Sequence, residues 1–188
     1  MNIIQGRTKC IDTAQCNDRL MLLLTGVGFE QKMIESADRE FKYKYGQFAY
    51  LKSFWQAIGQ SEPLNITLSV DDNPPQEIVT SSMVIANAAP ITTILAQGKG
   101  EPDLTDGLLD ITWIDYSETM GENMVSMVEL AFAGLSQATP DYSVHHTLAK
   151  KVQLKPEPAS KYVIDGEVFD AEPLNITIKP QSLNVIVS

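Results

Sequence analysis

The chain is short of cysteine, of positive charge, of long apolar runs and of glycine-rich phosphate loops, and each shortage removes a class of function. Cys10 and Cys16 are its two cysteines, too few for a disulfide framework or a Cys-rich zinc site. On an extended chain that spacing keeps the two sulfurs too far apart to bond, so both read as reduced thiols of a cytosolic protein. Fourteen Lys and Arg stand against 24 Asp and Glu, a net charge of −10 that opposes broad contact with a phosphate backbone; nucleic acid is not an expected partner. No segment approaches the ~20 apolar residues that span a bilayer, and Leu20-Met21-Leu22-Leu23-Leu24 reads as part of a buried strand. Residues Met1 to Arg7 lack the basic start and apolar stretch of a secretion signal, so the Asn-x-Thr triplets at Asn65 and Asn175 carry no glycosylation meaning. Gly26-Val27-Gly28 has neither the third glycine nor the lysine of a nucleotide-cradling loop.

What is present suits a folded globular chain. Hydrophobic residues make up 44% and charged residues 20%, and 188 residues suffice for one domain, 1–188, with a substantial core. Period-two patterning dominates. Thr8 to Phe29 reads as two strands about a polar turn at Gln15 to Asp18, the second holding the continuous apolar run Leu20 to Thr25. Leu64 to Val70 and Glu77 to Ala86 form a hairpin about Asp71-Asp72-Asn73-Pro74-Pro75. Leu108 to Tyr116 alternates as a strand, and Lys150 to Val187 reads as a strand, a hairpin and two further strands broken by Pro180. Glu30 to Lys44, dense in both charge signs, reads as a solvated helix or connector. Helical spacing appears at Phe48, Leu51, Phe54, Trp55 and Ile58, and again at Met124, Val128, Phe132 and Leu135 after a capping box at Thr119 to Glu122. Core packing explains the aromatic stripe of the first helix, with lipid contact as the functional alternative. The hexapeptide Glu-Pro-Leu-Asn-Ile-Thr opens a strand twice, at Glu62 and at Glu172, too short a match to claim duplication. His145 and His146 are adjacent at a strand entry, where neighbours face opposite ways and cannot share one ion.

Two acidic turns stand out. Tyr162-Val163-Ile164-Asp165-Gly166-Glu167-Val168-Phe169 sets Asp-Gly between apolar runs, the pair suited to a type I′ turn in which both central residues take positive φ. Glu167 is the first residue to leave that turn, on a rim stiffened by strand pairing. Upstream lies Glu101-Pro102-Asp103-Leu104-Thr105-Asp106-Gly107-Leu108-Leu109-Asp110. Each segment taken alone is an ordinary Asp-Gly turn.

Together, and in this order, the two segments resemble the C-terminal half of the diacylglycerol kinase-like lipid kinases, the family that includes the sphingosine kinases. That family carries a Pro-x-x-x-Leu-x-Asp-Gly-Leu-Leu-Asp loop and, near the chain end, an Asp-Gly-Glu hairpin. The Leu104 to Asp110 core matches closely, although Pro102 stands nearer to Leu104 than in the usual form. Thr25-Gly26-Val27-Gly28-Phe29-Glu30, Gly46 to Leu51 and Ala86-Asn87-Ala88 are also similar, so the likeness runs from about Ile11 to Val187. It departs at Ala89 to Ala96, where the family has a run of glycines; if those glycines admit substrate, substrate choice or activity differs here.

The resemblance implies a mainly β fold, an antiparallel β-sandwich with about two packed helices, which is also what the period-two strands favour. It implies Glu167 as the general base that takes a proton from a lipid hydroxyl, with Asp165 either holding the turn or assisting metal-bound phosphate. It further implies a structural Mg²⁺, Ca²⁺ being the open alternative, bound by the side chain of Asp106 and the carbonyls of Asp103 and Leu108; the plain reading is a turn without metal. Such kinases bind ATP-Mg in an N-terminal domain with a Gly-Gly-Asp-Gly-Thr loop, and this sequence contains no such loop. The expected partners are therefore that missing domain and a lipid with a free hydroxyl such as diacylglycerol, with room for peripheral membrane contact. The chain alone is expected to be inactive. Two alternatives stay open, a non-catalytic β-sandwich binding module and the corresponding domain of an NAD kinase.

Overall fold

The computed structural model describes residues 6–28, 63–88, 103–116, 144–170 and 173–187. The two helical stretches expected around residues 47–58 and 124–134, the charged stretch 30–44 and the glycine-poor stretch 89–100 lie outside the described residues. Within them all regular structure is strand: β1 (Thr8–Cys16), β2 (Arg19–Met21), β3 (Leu24–Val27), β4 (Leu64–Val70), β5 (Gln76–Ala86), β6 (Leu109–Asp115), β7 (Val144–Ala149), β8 (Lys151–Glu157), β9 (Tyr162–Ile164), β10 (Glu167–Phe169) and β11 (Leu174–Ile186). They join in one antiparallel hydrogen-bonded network, in the order β10-β9-β3-β5-β4-β8-β11-β1-β2 with β6 and β7 branching from β5, and this network folds into a sandwich. β5 is the junction. Its first half pairs with β4, while its second half is held by both β3 and β6.

The core follows from alternation. In β8 every second residue, Val152, Leu154 and Pro156, is buried between exposed Lys and Gln neighbours. The twin hexapeptides flank this strand: β4 and β11 pair with its two sides, and both bury their leucine and isoleucine, Leu64 and Ile66 in one and Leu174 and Ile176 in the other. Repetition of the six residues thus reflects one task done twice, opening a strand with the same face inward. Met83 and Ile85 from β5 and Leu109 and Ile111 from β6 complete the same cluster.

Two expectations need correction. The apolar run Leu20 to Thr25 is not one strand buried on both faces: the chain turns at Leu22 and Leu23, and Leu20 is 62% exposed. Apolar content could not reveal the corner, because its cause is a carboxylate far along the chain, described below. The other correction concerns Pro180, which does not divide the last segment into two strands. β11 continues through it because the pairing with β1 shifts there, from Thr13 opposite Lys179 to Ile11 opposite Leu183. Asp12 alone then stands opposite Pro180, Gln181 and Ser182, so the missing N–H of proline falls in a bulge and breaks no ladder bond. Gln181 takes φ +48° to make the bulge.

Asp12 fixes this bulge. Its side chain is buried; Oδ1 accepts from the N–H of Gln181 at 2.7 Å and Oδ2 from the N–H of Gly107 at 2.7 Å. Beside it, the hydroxyls of Thr13 and Ser182 meet at 2.7 Å. Asp12→Ala leaves two backbone donors without their acceptor and is expected to lower stability by about 3 kcal/mol or more. Chemical denaturation measures it; a loss below about 1 kcal/mol means that bulge and loop are held by other contacts.

Candidate functional site

β9 and β10 are joined by Asp165 and Gly166 alone, with Ile164 paired to Glu167. The φ values are +48° at Asp165 and +92° at Gly166, as a type I′ turn requires. A Cβ on Gly166 would meet nothing within 4 Å, so glycine is needed there for its backbone freedom and not for space. The carboxylate of Asp165 turns back onto the corner between β2 and β3. Its Oδ2 accepts from Leu22 N–H at 2.6 Å, and its Oδ1 from Leu23 N–H at 2.8 Å and Leu24 N–H at 3.0 Å. In return the N–H of Asp165 donates to the carbonyl of Leu24 at 3.0 Å. These hydrogen bonds tie the Asp165-Gly166 turn to the β2–β3 corner. The corner that interrupts the Leu20 to Thr25 run exists to meet this carboxylate.

Glu167 begins β10, which among the described residues pairs with β9 alone, and its side chain is exposed. It is not packed inward, and among the described residues its carboxylate has no hydrogen-bond or ion-pair partner. The strand behind it is anchored by Phe169, whose ring lies 6.1 Å from that of Tyr162 and 4.0 Å beneath the guanidinium of Arg19. The Glu167 carboxylate thus stands exposed at the start of a strand that is packed through Phe169.

The acidic loop is two successive side-chain turns. Asp103 Oδ1 accepts from the N–H of Thr105 at 2.9 Å and from its hydroxyl at 2.7 Å, and Asp106 Oδ1 accepts from the N–H of Leu108 at 2.9 Å. Gly107, at φ +72°, makes the bend inside the second of them. The loop is tied down from both sides by Asp12, which receives the Gly107 N–H on its carboxylate and donates its own N–H to the carbonyl of Leu104 at 2.8 Å. Charge is crowded here. Partial burial, and then the negative charges of Asp103, Asp110 and Asp12, push the Asp106 carboxyl above the usual carboxylate range, against the pull of the Leu108 N–H. Asp103, on the outside, is held below that range by the hydroxyl and amide of Thr105.

Among the described residues no three His, Cys, Asp or Glu side chains group to hold a metal by themselves. The cation set expected here, the Asp106 side chain with the carbonyls of Asp103 and Leu108, would therefore have to be completed by main-chain oxygens, the donor type a hard cation takes. The crowding that raises Asp106 is what such a charge would relieve.

The two turns are connected. The side-chain amide of Asn87, which is buried, donates from Nδ2 to the carbonyl of Leu22 at 2.9 Å and to the carbonyl of Asp12 at 3.1 Å. The N–H groups of Asn87 and Ala88 both reach the carbonyl of Leu23, at 2.8 and 3.0 Å. Sequence reasoning noted Asn87 but gave it no role, and missed Asp12, whose one signal is a carboxylate amid the strand residues Ile11-Asp12-Thr13-Ala14. The histidines do face opposite ways: His145 Nε2 lies 2.9 Å from Asp115 Oδ2 and stacks on Trp113, while His146 Nε2 lies 2.7 Å from Asp110 Oδ1. Those partners were hidden because only the β6–β7 register brings them together. Gly26, weighed as part of a phosphate loop, sits in β3 paired to both β5 and β9.

The match to a family model decides the relationship: residues 25–187 fit the YegS C-terminal, NAD kinase β-sandwich-like domain. The chain belongs to this YegS C-terminal domain family. A Synechocystis sp. protein of uncharacterized role is 39% identical over 184 residues, 97% of this chain and 42% of that protein. A Staphylococcus epidermidis protein named "Putative lipid kinase" is 23% identical over 191 residues, 99% of this chain and 59% of its own length. The chain thus spans about half the length of the curated relatives it matches. Among solved structures, that of "a putative diacylglycerol kinase" from Bacillus anthracis superposes with a TM-score of 0.71 at 18% identity, covering 100% of this chain and 59% of the other. At that identity the likeness is one of fold, and it agrees with the YegS C-terminal sandwich described above.

Two outcomes follow for this YegS-type domain. Asp106 is harder to ionise in the folded chain than in the unfolded one, so its ionisation is a penalty present above its folded pKa and absent once pH falls below the unfolded value. Asp106→Asn keeps the acceptor for Leu108 and removes the charge. In chelator-treated buffer it should raise stability at pH 7 by less than about 1 kcal/mol, the gain vanishing in acid; equal curves at every pH would refute the crowding. Burial, followed by the Asp165 charge, pushes the Cys16 thiol up to about 12, whereas Cys10 is partly exposed. Iodoacetamide at neutral pH should therefore modify Cys10 alone in the folded chain and both thiols after denaturation, as counted by mass spectrometry.

Proposed function

We propose that residues 1–188 are the acceptor-lipid domain of an ATP-dependent, diacylglycerol kinase-like lipid kinase of the cytoplasm, with Glu167 as its general base. One observation supports this most: within a family whose relatives include a protein named as a lipid kinase, the Asp165-Gly166 turn presents Glu167 exposed at the start of β10 and braced from behind. Phosphoryl transfer to an alcohol needs the hydroxyl held in line and a place for its proton to go. A carboxylate is a weak base for an alcohol, but in a loose transition state the proton departs late, so fixed placement counts for more than basicity. Glu167 has that placement. Asp165 serves it by holding the turn.

Nucleotide and its Mg²⁺ belong, on this reading, to a preceding domain that the sequence above does not contain, so the chain alone is inactive. At the acidic loop, Asp106 and the carbonyls of Asp103 and Leu108 would hold a structural Mg²⁺, whose contribution is to neutralise crowded carboxylates and order the loop. The acceptor is a lipid with a free hydroxyl, diacylglycerol being the representative case. Among the described residues no helix is long and apolar enough to cross a membrane.

The test joins this domain to its nucleotide-binding half. Glu167→Gln should lower ATP-dependent phosphorylation of diacylglycerol by about 100-fold or more while nucleotide binding persists. Turnover equal to that of the unaltered enzyme removes Glu167 as the base.

A further inference from the structure

The hydrogen bonds between the two acidic turns form an unbroken path. Asp165 takes the N–H groups of Leu22, Leu23 and Leu24; the carbonyl of Leu22 takes Asn87 Nδ2; the same Nδ2 reaches the carbonyl of Asp12; and the carboxylate of Asp12 takes the N–H of Gly107. Every link joins segments remote in sequence, with |i−j| of 143 between Leu22 and Asp165, 65 between Asn87 and Leu22, 75 between Asn87 and Asp12, and 95 between Gly107 and Asp12. No strand ladder supplies these contacts.

Asn87 is the middle of the path and its least economical member. Two carbonyl acceptors fix which end of its amide is nitrogen, leaving Oδ1 buried with no hydrogen-bond partner among the described residues. A buried acceptor without a donor carries a desolvation cost. A smaller or apolar side chain would remove that cost but leave the carbonyls of Leu22 and Asp12 without the donor they share.

We infer that Asn87 is a positioning residue which, through Leu22 and Asp12, sets the distance between the Glu167 turn and the acidic loop. This rests on the reading of Glu167 as base for its functional meaning, but the coupling itself is a property of the fold. On this inference a displacement of the Asp165 corner reaches Gly107 through the amide nitrogen of Asn87, alongside the β1–β2 ladder that pairs Ala14 with Met21. Rotating that amide would set both free together.

Amide resonances and exchange rates of the 188-residue chain test the coupling without any catalysis. Asp165→Asn keeps the turn, since Asn tolerates positive φ, but removes one acceptor from the corner. We expect it to shift the Gly107 amide resonance and to speed exchange at Gly107, as at Leu22, by at least about tenfold, with Ile66 and Leu154 of β4 and β8 unchanged. In an Asn87→Ala background the same substitution should still affect Leu22 and leave Gly107 where it was. An unmoved Gly107 in the single variant overturns the proposal, as does an equal effect at Gly107 with and without Asn87. If Asn87→Ala does not fold, the single variant decides. Loss of the lipid kinase reading would come from the Glu167→Gln assay and leaves this outcome untouched.

Discussion

A buried carboxylate organises this domain. Asp12 sits in a strand that would otherwise run straight, and by accepting from Gln181 and Gly107 it joins the last strand to the acidic loop in the middle of the chain. Burying such a charge is costly unless its oxygens are met by donors, and here the donors come from backbone whose own ladder partners are missing. Each side resolves the other's deficit. The bulge admits Pro180, the loop acquires a fixed orientation, and the N–H of Asp12 secures the loop's second end at Leu104.

The same economy recurs at the corners. Asn17, Asp71 and Asp165 all adopt left-handed φ, at 51°, 52° and 48°, and each offers a side-chain oxygen to the N–H of a neighbouring corner or strand. Asn17 takes the N–H of Asn175, Asp71 takes those of Lys150 and Lys151, and Asp165 takes those of Leu22 to Leu24. A short polar side chain tolerates the turn conformation and at the same time caps an unpaired donor next door. Corners are thereby tied to one another, which gives short strands such as β2, β9 and β10 a firmness their length would not provide. Glu167 gains its rigid rim from this arrangement.

Much of the fold was readable because its causes are local. The β4–β5 hairpin follows from Asp71 to Pro75 between β-branched runs, the β9–β10 hairpin from Asp165-Gly166, and the shared inward faces of β4 and β11 from the repeated hexapeptide. The readings that failed depended on distant residues. Leu20 to Thr25 looks like one buried strand until Asp165 draws its N–H groups aside, and Pro180 looks like a break until Asp12 closes the bulge around it. The His145–Asp115 and His146–Asp110 pairs likewise depend on which residues of β6 and β7 lie side by side.

Sequence by itself determined the alternation, the turn chemistry and the family, since strand period, left-handed Asp-Gly positions and the two acidic segments are written in neighbouring residues. Only the tertiary structure decided that the two acidic turns hang on one framework of hydrogen bonds, buried at Asp12 and Asn87. Side-chain hydrogen bonds of Asp12, Asn87 and Asp165 span 65 to 169 residues of chain, and a partner so remote is fixed by strand register and bulge position, which no local pattern encodes.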